Sequence, residues 1–197
     1  MKTEIRLAKP QDAAELLEIY AFYVQETAVS FEYQVPELEE FRSRVEQVLQ
    51  QYPYLVYLAD EKIVGFAYAH KQLERAAYQW NVELSVYVHH NFLRRGIGRA
   101  LYGALLELLT LQGVRNAYGL VTSPNRSSEK LHKSFGFQLL AIHRRTGYKM
   151  GQWHDVSWFE KSLNSHGKEP EALIPVSGLD ANRVQFILNQ YGNTPIK

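Results

Sequence analysis

Residues 82–109 read VELSVYVHHNFLRRGIGRALYGALLELL. The opening VELSVYV has the two-residue alternation of a strand. The closing part repeats Leu101, Leu105, Leu108 and Leu109 at the spacing of an amphipathic helix. Between them Gly96 and Gly98 stand one residue apart, with Arg94, Arg95 and Arg99 around them. A strand that turns directly into a helix leaves the helix's first N–H groups unpaired at the positive end of its dipole. Glycine at such a turn permits positive φ and lets another group approach the backbone. The stretch therefore reads as an anion cradle made mainly of main chain, with arginines at its rim. A simple turn beside solvated arginines is the competing reading. The pattern is not a dinucleotide fingerprint, because Leu101 stands at the third glycine position, and no Walker loop occurs.

Working outward, Thr3–Leu7 reads as a strand, and Pro10-Gln11-Asp12 opens a helix carrying Ala13, Leu16, Leu17, Ile19 and Tyr20. Residues 26–35 lack a helical period and read as an exposed loop. A second helix starts at Pro36, with Leu38, Phe41, Val45, Val48 and Leu49 on one face. Tyr54–Ala59 and Ile63–Ala69, joined at Asp60-Glu61, predict a hairpin, and Tyr78–Val88 a longer strand. Gly98–Gln112 predicts a helix that Gly113 ends in a left-handed conformation. Strand Asn116–Val121, helix Asn125–Phe135 and strands Phe137–Ile142 and Trp153–Lys161 complete the pattern. Its order predicts a mixed α/β (α+β) fold, with a central mixed sheet and helices on both faces. Residues 1–163 form one expected domain. Residues 164–197 form a C-terminal extension, a linker followed by one short amphipathic helix near Leu179–Tyr191.

The chain has 197 residues, 46% hydrophobic, with a net charge of +1 and no cysteine. Near-neutral charge argues against nucleic acid and anionic membrane as partners. The absence of cysteine excludes disulfides, zinc–thiolate sites and thiol catalysis. No stretch approaches the roughly 20 apolar residues of a membrane helix, and MKTEIRLAKP lacks the apolar core of a signal peptide. A cytoplasmic location is the expectation. His89-His90 has no third ligand at a metal-binding spacing, so no metal is expected.

The glycine stretch in its context resembles the acetyl-CoA-binding motif of the GCN5-related N-acetyltransferases, [QR]-x-x-G-x-[GA], with Leu93 in place of the Gln or Arg. SPNRSSEKLHKSFGF, residues 123–137, is similar to a second segment of that family. GYKMGQWHDV, residues 147–156, and RAAYQWNVE, residues 75–83, resemble its phosphinothricin and methionine sulfone/sulfoximine branch. The similarity spans about residues 3–163. It implies the family fold, with a twisted, mostly antiparallel sheet. It implies that acetyl-CoA lies along Val86, Tyr87 and Val88, and that amides of Arg94, Arg95, Gly96, Ile97, Gly98 and Arg99 hold its pyrophosphate. It also implies that Asn125, Ser128 and Lys133 line the pantetheine arm and that a backbone N–H near Tyr87–Val88 serves the oxyanion. Asn125 also suits a plain helix cap.

Amine acetylation needs a neutral amine near the thioester carbon, donors for the developing oxyanion and a departing thiolate. Strand alternation places Glu83, Ser85 and Tyr87 on one face, where a partly buried carboxylate among aromatic rings suits a base. An ion-paired surface glutamate is the alternative. His154, in the branch's WHD segment, is a second candidate base or proton relay. His132 occupies the place where many family members carry an acidic tyrosine, so His132 or solvent protonates the thiolate. Arg75 is the candidate partner for an acceptor carboxylate, and Phe31 and Tyr78, with Tyr33, are candidate pocket walls. The expected activity is direct acetylation, in a ternary complex, of the α-amine of a small amino acid or analogue. The alternatives are the same fold acting on a polyamine, an aminoglycoside or a protein N-terminus, or a non-catalytic acyl-CoA-binding module. The branch's habit implies a homodimer.

Overall fold

The computed structural model describes residues 2–167 and 169–193. In chain order its elements are β1 (Thr3–Leu7), α1 (Ala13–Glu26), α2 (Leu38–Leu49), β2 (Tyr54–Ala59), β3 (Lys62–Lys71), β4 (Asn81–Val88), α3 (Ile97–Gln112), β5 (Asn116–Ser123), α4 (Arg126–Ser134), β6 (Gln138–Lys149), β7 (Gln152–Ser162) and α5 (Ala181–Gly192). The seven strands form one sheet in the order β1-β2-β3-β4-β5-β7-β6, antiparallel except for β4 beside β5. The fold class expected from the sequence is the one observed.

Alternation along the strands sorts the apolar side chains into two cores. On one face α1 and α2 cover Tyr54, Val56 and Phe66 with Leu16, Ile19, Tyr20, Phe41 and Val45. On the other, Leu55, Tyr57, Ala67 and Leu84 meet Ile97, Leu101, Leu105 and Leu108 of α3, all fully buried or nearly so. Full burial of each such leucine stabilises the fold by about 1.5–3 kcal/mol.

Several boundaries differ from the sequence reading, each for a local reason. β4 starts at Asn81, because Ala76–Tyr78 close into a 3-10 turn. α2 starts at Leu38, with Glu37 as its N-cap rather than Pro36 inside its first turn. β6 continues past Ile142 to Lys149, through a polar stretch whose side chains carry no strand alternation and whose pairing with β7 is bulged between His143 and Gly147. The loop between α1 and α2 is not wholly exposed. Ser30 is buried, its Oγ 2.8 Å from Tyr20 Oη, and Lys149 Nζ donates to the carbonyls of Ser30 and Val24 at 2.6 and 2.7 Å. The tail also packs. Trp80 Nε1 donates to Glu171 O at 2.7 Å, and α5 lies against α3 and β1, with Tyr191 over Gly103 and Gly192 against the backbone of Ile5.

Candidate active site

The site begins where two parallel strands part. β4 and β5 pair only at Asn81–Asn116, Val82–Ala117 and Glu83–Tyr118, after which Leu84–Val88 and Gly119–Ser123 diverge. β5 turns wholly to β7. His89 N–H donates to Val64 O on β3 at 2.9 Å. Alternation along the strand therefore directs the N–H groups of Ser85 and Tyr87 to β3 and those of Val86 and Val88 into the gap. Val88 O accepts from Tyr23 Oη at 2.6 Å, while the Val88 N–H lies 3.4 Å from the same oxygen, too far for a strong bond.

A cavity of about 310 Å³ fills the gap and reaches both faces of the sheet. Phe31, Glu83, Ser85 and Tyr87 line it on the α1–α2 side, and Tyr102, Ser128 and His132 on the α3–α4 side. An adjoining mouth of about 680 Å³ is lined by Thr122 to Ser127, Gln152 and His154, and shares Val29 and Thr122 with the first.

α3 starts at the end of this gap. Gly96 is its N-cap at φ +88° and has no side chain to cap with. The first helical bond runs from Ala100 N–H to Gly96 O at 3.0 Å, which leaves the amides of Ile97, Gly98 and Arg99 ahead of it. A Cβ on Gly96 would meet nothing within 4 Å, so the demand there is conformational. A Cβ on Gly98 would meet only Val88 and Val86, at 3.7 and 3.9 Å. Nothing inside the protein requires glycine at 98. Arg94, itself at φ 61°, is exposed, and Arg95 lies over the Phe92 ring. Arg99 turns to α4, where Nη1 donates to Ser134 Oγ at 2.8 Å and the guanidinium covers Phe135.

α4 supplies the opposite wall. Asn125 is its N-cap, with Oδ1 accepting from Ser128 N–H at 3.1 Å, so the cap reading of this residue holds. His132 is buried, and its Nδ1 lies 2.8 Å from Ser128 O. A carbonyl only accepts, so Nδ1 carries the hydrogen and Nε2 is the bare nitrogen. Nε2 has no partner and rests directly on Gly119, where a Cβ would stand 2.0 Å away. Burial pushes the imidazole pKa down, partly offset by the Ser128 bond. Burial thus favours the neutral imidazole, with its hydrogen on Nδ1 and Nε2 turned to the backbone of β5. By the same logic His154 donates from Nε2 to Lys149 O at 3.0 Å. It lines the mouth, its ring 6.2 Å from that of Phe31 in the wall of the inner cavity.

Glu83 is partly buried, and desolvation raises its pKa, with His70 acting in the opposite direction. Phe31 faces the cavity across Gly147. Arg75 and Tyr78 stand on the exposed turn before β4 and Lys133 on the outer face of α4, all three away from the cavity lining. Among the described residues no cluster of side chains is arranged to hold a metal. Three residues of the site, His70, Gly119 and Tyr102, lie outside the sequence reading. Gly119 carries a signal as a glycine inside a strand pattern, a sign of close approach, whereas His70 is set opposite Glu83 only by the register of β3 on β4. Tyr102 carries no signal, being an ordinary helix tyrosine.

Residues 5–158 match the family model described as the acetyltransferase (GNAT) domain. The chain belongs to the GNAT acetyltransferases. This GNAT acetyltransferase is 34% identical over 160 residues to a phosphinothricin N-acetyltransferase of Streptomyces viridochromogenes, covering 81% of this chain and 87% of the relative. It is 29% identical over 163 residues to the L-methionine sulfoximine/L-methionine sulfone acetyltransferase of Salmonella typhimurium, covering 82% and 95%. The crystal structure of a GNAT superfamily phosphinothricin acetyltransferase from Sinorhizobium meliloti in complex with AcCoA superposes with a TM-score of 0.85 at 30% identity, covering 90% of this chain and 98% of that one.

Proposed function

We propose that the protein transfers the acetyl group of acetyl-CoA directly to the α-amine of a small amino acid or analogue of the phosphinothricin and methionine sulfoximine or sulfone type. The observation that carries this reading is the slot between β4 and β5, with uncapped helix amides at one end and a desolvated carboxylate in its wall. The amides of Ile97, Gly98 and Arg99 offer donors to a diphosphate, and the bare Cα of Gly98 lets it approach. Arg94 and Arg95 add charge at the rim. The N–H edge of Val86 and Val88 and the side chains of Asn125 and Ser128 flank a linear arm in the slot. Acetyl-CoA, when bound, supplies an acyl carbon open to attack by an amine.

Glu83 takes a proton from the acceptor's ammonium, and its raised pKa brings it nearer to the operating pH. The Val88 N–H is the backbone donor for the acyl oxygen. Phe31 walls the acceptor side. The chain has no cysteine to carry an acetyl group, so transfer is direct and both substrates are bound together. β6 is an edge strand with Leu139, Leu140 and Ile142 exposed, which supports a homodimer. No helix among the described residues is long and apolar enough to cross a membrane, and we place the enzyme in the cytoplasm.

The test is a panel of amino-acid analogues, polyamines and peptides with acetyl-CoA, read by free thiol release and by mass of the product. Acetylation of the amino-acid analogues is expected, with Glu83→Gln slower by roughly 100-fold or more. Wild-type turnover in that variant removes Glu83 as the base. No turnover with any amine, despite tight coenzyme binding, favours a non-catalytic module.

A further inference from the structure

His70 stands directly opposite Glu83 in the β3–β4 ladder, on the same face of the sheet. Its Nδ1 lies 2.9 Å from Lys71 O, and since a carbonyl only accepts, Nδ1 carries the hydrogen. Nε2 is then a bare acceptor, and it faces Glu83 Oε1 at 4.0 Å. Two acceptors at that separation do not bond each other. A water, which has two hydrogens to give, fits between them.

The surroundings give this pair a direction. The Glu83 side chain is 24% exposed and that of His70 41%. His70 and Tyr68 line both the inner cavity and a separate outer groove of about 1010 Å³ between α2, the end of β3 and the C-terminal extension. The imidazole is therefore in the partition between the slot and bulk water. The groups around it are Tyr68 and Lys71 on its own strand, Glu83 and Ser85 on β4, Tyr118 on β5 opposite Glu83, and Arg44 and Glu74 across the groove. Arg44 is held by Glu32 and Glu40 at 2.6 and 2.5 Å, and Tyr118 Oη donates to Glu160 at 2.7 Å.

We propose that His70 is a proton-relay residue, which accepts at Nε2 the proton that Glu83 removes from the acceptor's ammonium and releases it to water in the outer groove. This rests on Glu83 being the base. Across the 4.0 Å gap the proton passes through one bridging water: the Glu83 O–H bond breaks as the water takes that hydrogen, and the water gives one of its own to Nε2 of His70, leaving an imidazolium, a carboxylate ready for the next amine and the water unchanged. The imidazolium then loses that proton to solvent. Histidine suits the task because it changes charge near neutrality.

The experiment uses the full-length enzyme, with His70→Ala, His70→Asn and Glu83→Gln compared at low buffer concentration. His70→Ala is expected to lower kcat by roughly ten- to a hundredfold, to leave acceptor affinity by calorimetry within about twofold, and to recover on addition of imidazole. His70→Asn keeps polarity without titrating and should also be slow, with folding of each variant checked by its thermal midpoint. Wild-type kcat in both His70 variants, while Glu83→Gln is inactive, overturns the relay and leaves Glu83 as base. Weakened acceptor binding without imidazole rescue makes His70 an acceptor contact and likewise overturns it. Unimpaired Glu83→Gln removes the reading on which the relay rests.

Discussion

The ring of Phe31 occupies the space where a side chain at Gly147 would begin: a Cβ on Gly147 would stand 2.1 Å from Phe31 Cε2. A loop between two helices is thereby seated on a strand more than a hundred residues away. The same loop is held by Lys149 to Ser30 O and by Tyr33 Oη to Tyr148 O. Its aromatic side chain becomes a wall of the cavity because β6, the edge strand, offers it a bare backbone.

Gly147→Ala should dislodge this wall. The methyl group has nowhere to go without moving the ring, at a cost of about 1–3 kcal/mol in stability. The KM for the acceptor is expected to rise several-fold, while the KM for acetyl-CoA stays within about twofold. Steady-state kinetics with each substrate varied in turn provides the check. Unchanged acceptor KM would remove Phe31 from the acceptor pocket.

The two cradle glycines should separate stability from binding. Gly96→Ala places a side chain at φ +88° and is expected to cost about 1–2 kcal/mol in thermal unfolding. Gly98→Ala adds a methyl at ordinary contact distance from Val86 and Val88, so folding stability should hold or rise slightly. Its expected penalty is in coenzyme binding, by tenfold or more in a calorimetric titration. Full coenzyme affinity in Gly98→Ala would show that nothing approaches the backbone there.

Acid stability should depend on Asp12. Its carboxylate accepts from Arg6 Nη1 and Nη2 at 2.7 and 2.9 Å and from Lys9 N–H at 2.7 Å. Burial alone would raise its pKa, but the Arg6 and Lys9 bonds outweigh this and lower it. The folded pKa thus lies below the unfolded one. The associated stability is present above about pH 4, the ordinary aspartate value, and is lost as pH falls through the folded pKa. Asp12→Asn should cost about 1–3 kcal/mol at pH 7 and flatten the acid limb of stability from about pH 4 downward. Urea melts across that range measure it. A parallel loss in both proteins on acidification would assign the acid limb to other groups.

The elements with a strong period were legible from the chain. α3 carries leucines at helical spacing and a terminal glycine, and the structure gives Ile97–Gln112 with Gly113 at φ +88°. The alternation of β4 placed Glu83, Ser85 and Tyr87 on one face, and they line the cavity together. The second half of β6 was not legible, since an edge strand of polar residues is held by main-chain pairing to β7 that leaves no mark in side-chain order.

The sequence alone determined the order of elements, the mixed α/β class, the Gly-x-Gly turn at the head of α3 and the absence of any thiol chemistry. These follow from local quantities: period, glycine conformation and composition. Only the tertiary structure decided that β4 and β5 part after Glu83, that Gly98 has room before it which the protein does not fill, and that His154 stands at the mouth, against Phe31, while Glu83 stands deeper. It also decided that His70 faces Glu83. Each of these is a distance between segments far apart in the chain or on neighbouring strands, fixed by sheet register and by which helix covers which face. Local residue preference does not encode such distances, whereas packing and pairing do.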